Sequence, residues 1–167
     1  INLSKCNRNI NNLQQSLNII NKLLKFKPDY VIGIVEKSEI LIQQGLTEEA
    51  EKLLDKAIKL NPNYIKGQCL KGRLLLLKFN FGKSLIHFNN AITLNSEYFD
   101  GFYGKAITLS SQNYFNEGLK NINNALQIYE GNVGSFFQSL SEFDYCKALY
   151  FKSKCLNGIG KNQKALD

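Results

Sequence analysis

Apolar positions along this chain keep two periods at once. Within short stretches they follow the spacing of a helix face, and over longer stretches they repeat every 34 residues. Leu54, Phe88 and Ile122 form one apolar column, and Leu41, Leu75 and Leu109 form another. Ala57, Ala91 and Ala125 are a column of small residues, each followed by aliphatic residues one and three places on. Seven residues earlier stand Ala50, Ser84 and Gly118, and twelve before those Ser38, Gly72 and Ala106. Seven residues of helix return to nearly the same face, so these small residues mark a line where two helices approach.

Each 34-residue unit therefore reads as two short antiparallel helices, with small side chains at the crossing and larger apolar ones filling the flanks. Turn signals separate them, as in Gln44-Gly45-Leu46-Thr47, where Thr47 is expected to cap a helix opening with Glu48 and Glu49. Pro28 and Pro62, with Ser96 in the third slot, end the second helix of successive units. A lone helical hairpin cannot bury both faces, whereas stacked neighbours can. The expected fold is all-α, a solenoid of antiparallel helix pairs.

The columns Ser38/Gly72/Ala106, Ala50/Ser84/Gly118 and Ala57/Ala91/Ala125, with Pro28 and Pro62, resemble the tetratricopeptide repeat family over nearly the whole chain. The resemblance divides the chain into a partial repeat at 1–30, three full repeats at 31–64, 65–98 and 99–132, and a partial repeat at 146–167. Ser153, Gly160 and Ala165 are displaced by 47 rather than 34, which implies an insertion at 133–145. Within it, the spacing of Phe136, Phe137, Leu140 and Phe143 predicts a helical segment. Gln68 and Ile34 stand out as weak first-helix anchors against the family pattern.

The resemblance implies a right-handed superhelix whose first helices line a concave groove and whose second helices form the outer surface. The positions expected to meet a partner there are Val35, Glu39, Lys66, Cys69, Arg73, Tyr103, Lys147, Tyr150 and Lys154, with Ile32, Ile42, Leu76, Asp100, Ile107, Ser110 and Asn157 also facing the groove. An apolar and aromatic floor with cationic heads suits a protein or peptide partner carrying acidic residues. The carboxylate clamp of chaperone-binding members is absent, because Val35, Glu39, Leu70, Asp100 and Gly104 occupy its places. The asparagine ladder of other members is absent too, since Glu36, Leu70 and Gly104 stand where it needs Asn. Interaction scaffolding within a larger complex is the function implied, in a cytoplasmic setting. Ciliary assemblies are rich in this family, which is analogy of fold alone.

Composition narrows the alternatives. Twenty-one basic residues against 14 acidic ones give a formal charge of +7 over 167 residues. With Tyr103, Tyr150 and Arg73 as stacking candidates, that charge makes an RNA-binding helical repeat the runner-up. The charge is patchy, however, at +4 for 1–30, −2 for 31–64, +4 for 65–98, −1 for 99–132 and +2 for 133–167. A solenoid that follows a nucleic-acid backbone needs cations unit after unit, so nucleic acid is the less expected partner. The recurring Lys37, Lys71, Lys105 and Lys152 precede the small crossing residue, where a lysine stem can lie over the hairpin with its amine reaching water or a carbonyl.

No catalytic residues, cofactor or metal ligands are expected. The single histidine, His87, lies between Ile86 and Phe88 with no nucleophile at triad spacing. Cysteines at 6, 69, 146 and 155 form no CxxC pair, and free, buried thiols in a reducing compartment are expected. No aliphatic run approaches membrane-spanning length. With no Met anywhere, the chain reads as an internal piece of a longer polypeptide.

Overall fold

A computed structural model describes residues 3–132 and 142–164. Eight helices follow one another there: α1 (Leu3–Phe26), α2 (Val31–Gln43), α3 (Thr47–Leu60), α4 (Ile65–Leu77), α5 (Phe81–Leu94), α6 (Phe99–Ser110), α7 (Phe115–Asn132) and α8 (Glu142–Lys164). Each packs on its neighbour in sequence. In addition α2 touches α4, α4 touches α6 and α6 touches α8, whereas among the described residues α3, α5 and α7 do not touch one another. Helices that meet their second neighbours lie on the inside of a curve. The even-numbered helices thus form the concave wall of an all-α solenoid.

The 34-residue period is written into the backbone as well as the side chains. The helices α2, α4 and α6 all end in the same left-handed turn, with φ of 80° at Gly45, 57° at Phe79 and 66° at Asn113. At each turn the next amide reaches back five residues, Leu46 to Leu41, Asn80 to Leu75 and Tyr114 to Leu109, at 2.9–3.0 Å. This bond satisfies a carbonyl that the helix end would otherwise orphan. The turns between units repeat in the same way. Asn61 and Asn95, which follow α3 and α5 and donate their amides to the carbonyls of Ala57 and Ala91, accept through Oδ1 from the amides of Asn63 and Glu97 at 3.1 and 2.8 Å.

A further pair of columns appears in the structure: Tyr30, Tyr64 and Tyr98 precede α2, α4 and α6, and Gly33, Gly67 and Gly101 follow three places on. A β-carbon on Gly33 or Gly67 would meet the tyrosine ring at 3.1 or 3.3 Å. The glycine lets the ring fold down on the helix start.

Several expectations need correction. Thr47 is the first residue of α3 and does not cap it; Leu46 holds the cap position and makes no side-chain cap bond. Gln68 is a firm anchor, buried, donating from Nε2 to the Pro62 carbonyl at 2.7 Å. Its Oε1 can only accept, so the 2.8 Å contact with His87 fixes the proton on Nδ1 of that ring. Burial lowers the His87 pKa, with Lys71 adding to the effect. Cys69 and Cys155 are free and buried, but Cys146 is exposed. The expected helix through Phe136, Phe137 and Leu140 lies outside the described residues, while Phe143 falls within α8.

Candidate partner-binding groove

The concave wall holds a cleft of about 150 Å³ built from α2, α4, α6 and α8, with the Phe88 ring of α5 behind it. Among its lining residues are Glu39, Lys66, Cys69, Arg73, Tyr103 and Lys147, six of the positions named from sequence, with Leu76, Asp100 and Ile107 beside them. They meet because each stands near the same place on its own first helix, and the solenoid stacks those helices.

The other three positions separate from this cleft. Val35 has no exposed surface and packs with Ile34, Leu54 and Leu70 in the core, so it is not available to a partner. Its place in the helix turns it towards the hairpin interior. Tyr150 is exposed on α8, and the Lys154 amine lies 5.9 Å from its ring centre and 5.8 Å from that of Phe151. These two form a separate cationic and aromatic patch.

The electrostatics of the cleft differ from the expectation of free cationic heads. Lys66 is held by Glu36 at 2.6 Å and by Glu39 at 3.0 Å, and Arg73 reaches Glu39 at 3.6 Å. Lys147 pairs with Asp144 at 3.3 Å. Desolvation opposes the charge on Lys66, yet its two carboxylate partners outweigh that and raise its pKa. Asp100 is different: desolvation raises its carboxyl above the ordinary value, and Arg73 only partly offsets this. Burial pushes the Cys69 thiol up, with Asp100 adding to the effect, so this thiol stays protonated. The Tyr103 ring stacks on Phe99 at 5.6 Å and meets Phe151 edge-on at 6.3 Å.

Glu36 and Asp144 were not among the sequence candidates. Glu36 stands one repeat position from the groove line, and only its pairing with Lys66, 30 residues on, turns it inwards. A signal for this pairing was present in the segment charges, since a −2 unit precedes a +4 unit. Of the recurring lysines, Lys71 departs from the expectation. Lys71 is buried, and its amine meets Glu51 at 3.0 Å and Asp55 at 2.6 Å rather than water or a helix-end carbonyl.

Among the described residues there is no group of three or more His, Cys, Asp or Glu arranged to hold a metal ion, and no helix is long and apolar enough to cross a membrane. The tetratricopeptide repeat family model matches residues 34–64. No curated protein matches the chain in sequence. Among solved structures, a crystal structure of MamA has a TM-score of 0.64 at 17% identity, covering 98% of this chain and 98% of MamA. The first repeat domain of human RPAP3 has a TM-score of 0.68 at 15% identity, covering 82% of this chain and 98% of that one. The first such domain of Spaghetti (RPAP3), solved with the HSP90 peptide SRMEEVD, has a TM-score of 0.64 at 15% identity over 78% of this chain and 93% of its own. Identities this low speak to the fold. The tetratricopeptide repeat model thus matches one unit, 34–64, and the solved structures share the solenoid fold into which that unit is stacked.

Proposed function

We propose that the chain is a non-catalytic protein–protein interaction scaffold that holds a peptide segment or partner helix in its concave groove, as one part of a larger protein or multi-subunit assembly. The observation that carries this reading is the cleft across α2, α4, α6 and α8. Four first helices contribute to one open, apolar-floored surface flanked by charges. Such surfaces suit a segment whose main chain and side chains are read together. The Spaghetti (RPAP3) domain of the same fold holds a peptide, which supports the general mode.

An acidic partner, which the sequence favoured, finds little support in the cleft. Lys66 and Arg73 are engaged by Glu36 and Glu39, and an incoming carboxylate has to displace those bonds and strand their acceptors. The RNA reading meets the same obstacle, because phosphates face the carboxylates of Glu39, Asp100 and Asp144. The free thiols of Cys69 and Cys155 support a reducing, cytoplasmic setting. A ciliary address rests on family analogy only.

The test is selection of a phage-displayed random dodecapeptide library on the 167-residue chain. The selected peptides should lose binding to an Ile107→Asp variant, which places a charge on the groove floor. They should keep it with Ile86→Asp, a change at an exposed position on α5. Peptides that ignore Ile107→Asp, or a library that yields none, would sink the reading.

A further inference from the structure

The charge of the groove departs from that of the chain. The whole sequence carries +7, yet the concave wall sets four carboxylates, Glu36, Glu39, Asp100 and Asp144, against three cations, Lys66, Arg73 and Lys147. Each cation has a carboxylate within 4 Å: Lys66 has two, Arg73 shares Glu39, and Lys147 has Asp144. Asp100 is the cleft carboxylate left over, with no ion pair among the described residues.

Desolvation raises the Asp100 carboxyl itself, and Arg73 does not fully offset this. The neutral groups around it also respond to its field, since Asp100 adds to the upward shifts of Cys69, Tyr98 and Tyr103, each led by burial. Beside it, Tyr103 is stacked on Phe99, and an aromatic face attracts cations through its quadrupole. Leu76 and Ile107 supply apolar floor in the same cleft. A carboxylate with no ion pair among the described residues, sharing one cleft with an aromatic stack and an aliphatic floor, is complementary to a long cationic side chain with apolar neighbours.

We infer that the groove takes a segment of a partner protein bearing a lysine or arginine between apolar residues, with the cationic head on Asp100 beside Tyr103 and the apolar neighbours on Leu76 and Ile107. The inference rests on the peptide-binding reading above and adds the chemistry of the ligand. Binding completes a wall in which every charge has an opposite partner. It does so without disturbing the Lys66 bonds to Glu36 and Glu39.

The peptides recovered from the dodecapeptide selection provide the test. Those that depend on Ile107 should be enriched in Lys or Arg over the unselected library. A synthetic peptide chosen from them should bind about tenfold more weakly to Asp100→Asn, which keeps the side-chain shape and removes the charge. Its analogue with norleucine in place of the cationic residue should bind the parent chain and Asp100→Asn equally. Groove-dependent peptides rich in Asp or Glu, or without charge preference, would overturn the inference while leaving the scaffold reading standing. So would full affinity for Asp100→Asn. If no peptide depends on the groove, the scaffold reading fails and this inference with it.

Discussion

The junction between the helix pair α2/α3 and α4 and the junction between α4/α5 and α6 share one backbone geometry and fill it differently. In the first, Leu54, Leu70 and Leu74 pack together beneath Ser38. At the positions 34 residues on stand Phe88, Gly104, Thr108 and Gly72. The Phe88 ring occupies the room the two glycines leave, and a β-carbon on Gly104 would collide with it. Volume lost on one helix is regained on the other, so both interiors stay filled. The polar parts differ as sharply. The first junction is tied by ion pairs from Lys66, Lys71 and Lys78 to carboxylates on α2 and α3. In the second, the places of Glu48, Glu51 and Asp55 hold Gly82, Leu85 and Asn89. One hydroxyl contact crosses it instead, Ser84 meeting Thr108 at 3.1 Å, while Ser84 donates to the Gly72 carbonyl within α4/α5 and Thr108 to the Gly104 carbonyl within α6, each at 2.8 Å. The fold needs the crossing distance and the filled volume; of these two junctions, the first alone is stitched by ion pairs among the described residues.

The largest expected effect comes from forcing one packing solution onto the other. Gly104→Leu should cost about 3 kcal/mol or more, because the new side chain overlaps the Phe88 ring. Adding Phe88→Leu restores the pairing found in the first junction and should recover much of the loss. A double-mutant cycle in urea should give a coupling of roughly 2 kcal/mol; additive losses would show that the two positions do not share one space. Next in size is Lys71→Ala, expected to cost about 1–2 kcal/mol, since Glu51 keeps Lys78 and Asp55 faces solvent. Lys71→Met should be nearly neutral, as the stem is retained and the buried charge removed. A large loss with Met would mean that the charge itself holds the junction.

A smaller effect, of opposite sign, is expected at Phe79. This aromatic residue sits at φ 57° with 79% of its surface exposed, in the place that Gly45 fills in the unit before. Phe79→Gly should therefore stabilise the chain by about 1 kcal/mol in thermal unfolding, whereas Gly45→Ala should destabilise it by a similar amount. The last prediction separates the junctions by pH. Hydrogen bonds from Lys78 and then Lys71 hold the Glu51 carboxyl below its ordinary range. A carboxyl so depressed contributes stability above its unfolded pKa and loses it as pH falls through the folded value. On the acid side of roughly pH 4, amides of α3 should exchange faster while those of α6 change little. Equal acceleration in both helices would contradict the contrast.

The crossing columns were legible because they obey one period and one steric rule. Gly72 and Ala57 had to be small wherever two helices meet, and the structure places both at crossings. The columns of Tyr30, Tyr64, Tyr98 and Gly33, Gly67, Gly101 obey the same period, but the folding of Tyr30 onto Gly33 and of Tyr64 onto Gly67 becomes meaningful only when the ring's direction is seen. Val35 and Glu39 looked equivalent on a helix face, and four residues of rotation drift separate a core position from a groove one. The pairing of Lys66 with Glu36 and Glu39 was legible only as a −2 unit beside a +4 unit. A net charge per unit does not say which heads reach one another across the stack, and the energies depend on that.

The Phe88 ring, lodged between two helices, also gives the solenoid a mechanical character. Bending at that junction has to work a rigid ring out of a slot formed by Gly72 and Gly104. At the neighbouring junction, bending lets lysine heads slide between carboxylate oxygens that accept them over a range of angles. The two act like a stiff and a soft link in one spring, with the soft link weakened by salt. The curvature of the concave wall, and so the span it offers, should change with ionic strength at the first junction and stay fixed at the second. A distance between spin labels on Lys52 and Asn89 should then lengthen or shorten with salt, while one between Asn89 and Asn123 holds constant.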